Sequence, residues 1–402
     1  MLRLKYTKHP HTAAFLESAI RIAEYYGFRP LEDAPRKEPA ELREMRKRAG
    51  RNESEISVTR KEERSLLVAA KRCAPLRQSP TESLLLWRMG SEPKGNPPHV
   101  FLELHVIGTG SAIAEALLIV VAHTIAQEAG LQNRILSINN IGSKESSGRF
   151  VRDVGTFLRK HIESISPSLR PRAATDPLGT LIQLIERGHP AIARAPQAME
   201  YLTEEERRKF WELIEYLEMF GLPYELSPHT LGSRDCWSHS LFQISAIDTE
   251  SNSRMPIAFG GRYDPLAARF AASPASAAMI SLSCEIRGKT RPRREATGLP
   301  LIYFAHLGPE ARRKALGVLE SLRRAGIPVH HGLYHERIGE QMAAARLTGS
   351  PYVLIMGHKE AVEGTIIVRE VTTNSQDAIP LPELPGYLKR RKVSGWKAEA
   401  RA

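Results

Sequence analysis

The amino-acid sequence predicts an α+β core, an antiparallel sheet flanked by helices, followed by a smaller α/β domain. Period-two apolar runs paired around a Gly/Pro-rich loop point to antiparallel strands, and long helical patterns separate them. Beyond a break in composition, strand and helix alternate regularly. At 402 residues and 42% hydrophobic content, the chain is long enough for two cored domains.

The first helix carries Ala14, Phe15, Ala19, Ile22 and Ala23 on one face and ends at Tyr26-Gly27, where glycine permits a left-handed cap. A short strand, Arg29 to Leu31, follows. The stretch from Arg36 to Arg64 is charged and poor in large apolar residues, which reads as an exposed excursion. Strands Leu84 to Trp87 and Val100 to Ile107 flank the loop Gly90 to Pro98 as a hairpin. The helix from Ser111 to Ala129 is apolar enough to be buried, and its apolar stretch is too short and interrupted to span a bilayer.

Next come a strand, Ile135 to Ile138, and helices Ser147 to Ile162, Leu178 to Glu186 and Glu204 to Phe220. Thr203 with Glu206 three residues on opens the last as a capping box. Strands return at Ser240 to Ile247, Ile257 to Phe259 and Met279 to Cys284. The linker is marked by Lys289, Arg291, Arg293 and Arg294 around Pro292. Beyond it the pattern reads strand Leu299 to Ala305, helix Pro309 to Ala325, strand Pro328 to Gly332, helix Ile338 to Leu347, then strands Tyr352 to Met356 and Thr365 to Glu370. The expected domains are 1–288 and 299–402, joined by 289–298.

The 57 Lys and Arg against 45 Asp and Glu give a net charge of +12, which suits a polyanionic partner or an ordinary basic surface. The three cysteines, Cys73, Cys236 and Cys284, form no CxxC pair. Neither a disulfide framework nor a metal site is indicated, and a reducing cytoplasm fits best. No signal-peptide pattern opens the chain, and no membrane partner is expected.

The sharpest local signal is Phe259-Gly260-Gly261-Arg262-Tyr263-Asp264-Pro265-Leu266, after a strand and before a helical run. Its glycines permit close backbone approach, to a ligand or within a turn, and Arg262 and Asp264 pair with each other or bond a polar substrate. Cys236 and His239 lack triad geometry and an oxyanion donor. His330 and His331, adjacent on a strand with His335 nearby, read as solvated rather than metal-binding. Gly108 to Ser111 reads as a turn and N-cap rather than a phosphate cradle.

The 259–266 stretch closely resembles the glycine-glycine-arginine-tyrosine-aspartate segment of histidyl-tRNA synthetases, and other segments follow in that family's order. Ala23 to Phe28 resembles the end of motif 1, Leu84 to Gly108 resembles motif 2, and Ile138 to Ser143 is similar to an Asn-containing turn. Asp176 to Leu226 follows the family's insertion, placed at about 172–226. Leu322 to Ile327 and Gly339 to Ala345 match its anticodon-binding domain. The resemblance implies a class II synthetase-like core, an anticodon-binding-like domain, a homodimer and a tRNA or other structured RNA as partner, with no DNA expected.

Activation chemistry needs cations on the ATP phosphates, and there the match fails. Counting back from Val106-Ile107-Gly108 sets Trp87 at the motif 2 arginine and Met89 at its glutamate, with Arg88 one residue away. Cys284 stands at the second arginine of motif 3. The histidine-specific signature becomes Gly232-Ser233-Arg234-Asp235-Cys236-Trp237, with Gly232 in place of arginine and Asp235 retained. The family's glutamate-x-threonine aligns near Ala69 to Arg72, and its pocket glutamine and glutamate become Phe101 and His105.

The resemblance thus leaves no catalytic residue, and Arg88, Asp235, Gly260, Gly261, Arg262, Tyr263 and Asp264 as pocket remnants. It implies a synthetase-like protein without histidine activation, in a regulatory or accessory role. No cofactor is expected; ATP and Mg²⁺ enter only if the chain is instead a divergent ligase using Arg88, Arg234 and Arg262. A third reading is a regulatory subunit of ATP phosphoribosyltransferase. For RNA, Arg337, Gln341 and Arg346, then Lys389, Arg390 and Arg391 with Lys392, Tyr387 and Trp396, combine cations with aromatics; a basic solvated helix and tail is the plainer reading of the same residues.

Overall fold

A computed structural model describes residues 1–31, 61–73, 83–95, 97–247, 253–270, 276–293, 299–335, 337–393 and 396–397. Most of the charged excursion and 294–298 of the linker lie outside the described residues. Two compact units result, one of Met1–Thr12, Arg29–Leu213 and Pro223–Thr290, the other of Ala13–Phe28, Ile214–Leu222 and Arg291–Ala402. The second is discontinuous, so the first helix belongs with the C-terminal residues.

In chain order the elements are α1 (Thr12–Tyr25), β1 (Arg29–Pro30), α2 (Lys61–Cys73), β2 (Leu84–Glu92), β3 (His99–Ile107) and α3 (Ile113–Glu128). Then follow β4 (Arg134–Asn140), α4 (Lys144–Lys160), α5 (Arg170–Thr175), α6 (Pro177–Glu186), α7 (Glu204–Phe220), β5 (Tyr224–Leu226), β6 (Ser238–Ile247), β7 (Arg254–Arg262), α8 (Asp264–Phe270) and β8 (Ala277–Glu285). The first unit is one sheet in the order β1-β2-β3-β8-β7-β6-β4-β5, antiparallel from β2 to β4 with parallel strands at both edges.

Strand parity sorts the side chains. Directly opposed residues share a face, so Leu84, Leu86 and Arg88 of β2 lie with Glu103, His105 and Ile107 of β3, and with Met279 and Ser281 of β8. Leu66, Ala70 and Cys73 of α2 and Leu266 and Ala267 of α8 pack in one apolar cluster with Leu84, Leu86, Ile107, Phe259 and Met279. Helix α3, buried almost along its whole length, packs on β3 and β8. The excursion was expected to stay exposed as far as Arg64, yet 61–64 open α2 and Glu63 is fully buried.

The second unit continues with β9 (Leu299–Pro300), β10 (Ile302–His306), α9 (Gly308–Arg324), β11 (Val329–His331), α10 (Ile338–Thr348), β12 (Tyr352–Met356), α11 (His358–Glu363), β13 (Thr365–Glu370), β14 (Gln376–Pro380), α12 (Leu384–Arg390) and β15 (Trp396–Lys397). Its main sheet runs β11-β10-β12-β13-β14, parallel across the first three strands and antiparallel after them. The short elements α11, β14 and α12 are not evident from the sequence pattern. Helix α1 is anchored here: the buried Tyr26 hydroxyl donates to Glu320 at 2.7 Å, and Tyr25 donates to the Ile327 carbonyl at 2.8 Å.

Candidate functional site

The face of the large sheet beneath α2 carries Arg88 and Gly261 of the pocket remnants, whereas Gly260 and Arg262 lie on the face of α3, and parity decides which cation belongs to the α2 face. Trp87 opposes Leu104 and Arg88 opposes Glu103, so Arg88 shares its face with Phe101 and His105, while Trp87 points to the other side with Met89. The arginine the sequence alignment set one residue away is therefore the one on the pocket face.

Arg88 is nonetheless committed to partners inside the protein. Its Nε bonds Glu103, its Nη2 donates to Ser65 Oγ at 2.9 Å, and Ser65 in turn donates to Glu103. Glu103 is completely buried. Burial alone would push its carboxyl up, but His105, Arg88 and Ser65 outweigh that and hold it below the usual carboxylate range. His105 also bonds the buried Tyr263 hydroxyl at 3.1 Å. The Phe101 ring lies against Gly90, where a Cβ would stand 2.2 Å from it, and Arg88 sits 5.5 Å above that ring.

A second closed cluster surrounds Gly232, the position where the resemblance calls for arginine. A Cβ there would lie 2.5 Å from Trp237 Cδ1 and 3.1 Å from Glu63 Oε1. The Trp237 indole donates to Glu63 at 3.0 Å, and the Ser233 amide donates to the same oxygen at 2.7 Å. Residues 69–72 lie toward the end of α2 with Ala69 and Ala70 in the core. The acid-x-hydroxyl spacing recurs at Glu63 and Ser65, which make the polar contacts. Sequence reasoning missed Glu63, Ser65 and Glu103. The period-two run Phe101, Glu103, His105 opposite Arg88 was the available signal.

The other remnants are structural. Arg262 pairs with Glu115 and clasps the 109–111 turn through the Thr109 and Ser111 carbonyls. Asp264 accepts from the Ala277 amide at 2.7 Å, and burial, the largest influence, raises its carboxyl despite Arg262. Gly260 and Gly261 serve the sheet: a Cβ would stand 2.2 Å from the Met279 carbonyl oxygen and 2.5 Å from that of Ser240, respectively. Asp235 pairs with Arg269 at 3.8 Å. Cys284 is buried beside the Leu2 bridge, and burial pushes its thiol up to about 12. Cys236 is likewise buried, its thiol pushed up by burial.

Glu206 ties α7 to α4. It accepts from the Thr203 amide at 2.8 Å, the Ser143 amide at 2.7 Å and the Ser146 hydroxyl at 2.7 Å. Burial opposes ionisation, yet these donors bring its carboxyl down to about 2. An unfolded glutamate titrates at about 4.3, so the folded value is depressed. Its stabilisation is complete above the unfolded value and disappears as pH falls from about 4 to about 2. Glu206→Ala is expected to lose about 2 kcal/mol at neutral pH and to flatten the acid limb of stability in urea titrations at stepped pH.

In the second unit, Arg337 and Arg346 at the two ends of α10 and Lys389 and Arg390 at the end of α12 are exposed. Gln341 is buried, accepting from the His306 amide at 2.8 Å and donating to its carbonyl at 2.7 Å, so its role is to hold α10 on β10 rather than to meet a partner. Arg391 pairs with Asp377 at 3.0 Å and stacks on Tyr387. His331 Nε2 donates to the Tyr26 carbonyl at 3.1 Å. The Trp396 side chain lies outside what is described.

Residues 302–391 match the family model for an anticodon binding domain. The histidine–tRNA ligase of Gloeothece citriformis is 28% identical over 293 residues, covering 72% of this chain and 68% of the relative. That of Thermosynechococcus vestitus is 26% identical over 288 residues, covering 70% of this chain and 66% of the relative. The matched region thus spans about two thirds of the length of these relatives. A crystal structure of apo histidyl-tRNA synthetase from S. aureus covers 93% of this chain and 94% of that one, at 19% identity and a TM-score of 0.47.

Proposed function

We propose that the chain belongs to the class II histidyl-tRNA synthetase family and that it binds tRNA or another structured RNA without activating histidine, in a regulatory or accessory role. The observation that carries this reading is the filled pocket face. The Trp237 indole stands where a side chain at Gly232 would extend, and Arg88 is neutralised by Glu103 under α2. Activation requires positive charge presented to phosphoryl oxygens, and a guanidinium already bonded to a buried carboxylate presents little. Neither ATP nor Mg²⁺ has a role on this reading. A cytoplasmic location and a homodimer are part of the same proposal.

RNA contact is assigned to the exposed cations Arg337, Arg346, Lys389 and Arg390. Histidine-dependent exchange of pyrophosphate into ATP is expected to equal the histidine-free blank, and robust exchange would instead establish a divergent ligase. In parallel, tRNA binding measured across a salt series is expected to lose about 0.7 to 0.9 of log-log slope for each phosphate-contacting cation removed by Arg337→Ala or Arg346→Ala. Binding unchanged in the double variant would exclude this surface.

A further inference from the structure

A cavity of about 750 Å³ lies beside the closed face, lined by Lys144, Asp176, Arg234, Ser238, His239 and Asp264 among others. That volume is within the range of small-molecule sites, about 300 to 1,000 Å³. Its three carboxylates already have partners: Asp176 with Arg172 at 2.6 Å, Asp235 with Arg269 at 3.8 Å, and Asp264 with Arg262 at 3.7 Å. Of its cations, Arg269 is in an ion pair, and Arg234 and Lys144 are placed differently. Arg234 is half-buried and held by Ser147 Oγ and the Lys144 carbonyl, each at 3.1 Å, and the carboxylate acting on it, that of Asp235, forms its ion pair with Arg269. The lining thus holds three cations against three carboxylates, and Arg234 and Lys144 are the cations outside the ion pairs among the described residues.

Two neighbouring groups are also left without partners. Ser238 is 5% exposed, and its hydroxyl makes no hydrogen bond among the described residues. A buried polar group in that state costs about 1 to 3 kcal/mol. His239 adopts a left-handed backbone, φ +52°, at a register shift between Ser238 and Leu241. Its amide and carbonyl are bonded to Gly142 and Ile141, but its ring bonds no described residue. Non-glycine residues in that conformation are uncommon and collect at ligand sites.

We propose that this cavity binds a small metabolite bearing a carboxylate or phosphate, the oxyanion seated on Arg234 and a polar group at its other end meeting Ser238 and His239. Arginine provides a planar set of donors for either oxyanion. The inference deepens the proposed function and rests on its premise that histidine does not occupy this part of the molecule.

The test uses the full-length protein with inorganic phosphate and with acetate, at matched ionic strength, following the thermal unfolding midpoint. At least one probe is expected to raise the midpoint saturably, and the tighter one names the oxyanion. Arg234→Gln is expected to weaken that response at least tenfold and Lys144→Gln at least threefold, whereas Arg187→Ala, outside the cavity, leaves it unchanged. Ser238→Ala is expected to leave the midpoint without added anion unchanged or raised. No saturable response to either probe, an equal response in Arg234→Gln, or a lowered midpoint in Ser238→Ala would overturn the site. Histidine-dependent exchange would overturn the proposed function without removing anion protection, so the two failures are separable.

Discussion

Arg88→Met is expected to destabilise the protein by about 3 to 5 kcal/mol, because it leaves the carboxylate of Glu103 buried without the guanidinium bonded to it. Glu103 has no solvent exposure and shares its oxygens among Arg88, Ser65 and His105. The penalty arises from the stranded charge rather than from the value of the pair itself, so Arg88→Met with Glu103→Leu is expected to recover most of it. Urea denaturation of both single variants and the double variant forms the cycle. A double variant as unstable as the sum of the singles would show that the two side chains do not act as a pair. The wild-type pair also predicts acid sensitivity: the folded Glu103 carboxyl lies below its unfolded value of about 4.3, so its contribution is present above that pH and is lost as pH falls through the folded value.

Gly260→Ala is expected to cost about 3 kcal/mol, at the upper end for an overpacked core. The added Cβ would stand 2.2 Å from the Met279 carbonyl oxygen and 2.8 Å from the Ile280 Cα, both backbone atoms of the adjoining strand β8, and 2.7 Å from the Phe242 ring. A strand in the middle of an eight-stranded sheet cannot withdraw without breaking its own ladder. Gly317→Ala in α9, where nothing lies within 4 Å of the new atom, is expected to be neutral or to gain up to about 1 kcal/mol from helix propensity. Chemical denaturation of the two variants compares them directly, and a Gly260→Ala protein within about 0.5 kcal/mol of wild type would contradict the close strand approach.

The antiparallel core and the C-terminal α/β pattern were legible because their apolar periods are regular. The hairpin Leu84 to Ile107, helix Glu204 to Phe220 and the Thr203–Glu206 capping box correspond closely to β2, β3, α7 and the observed hydrogen bonds. The site was only partly legible. A linear count assigns a position but not a face, so Trp87 took the place that parity gives to Arg88. Charge density made residues 36–64 look solvated, although Glu63 is drawn inside by the Trp237 indole and the Ser233 amide, 170 or more positions away. Gln341 looked like a polar contact residue because its hydrogen bonds to His306 join segments 35 residues apart. Such pairings are tertiary and leave no local trace in the sequence.

The discontinuity of the second unit bears on inheritance. Because it gathers Ala13–Phe28 and Ile214–Leu222 with Arg291–Ala402, a single recombination event at the connection near residue 294 would exchange the C-terminal segment without the helix whose Tyr25 and Tyr26 are fitted to Ile327 and Glu320. A transplanted segment would arrive with the buried Glu320 facing a foreign helix. Substitutions at Tyr26 and Glu320 are therefore expected to act together across nearly 300 positions of the chain, and a replaced C-terminal segment keeps this contact only if it brings an acceptor for the Tyr26 hydroxyl.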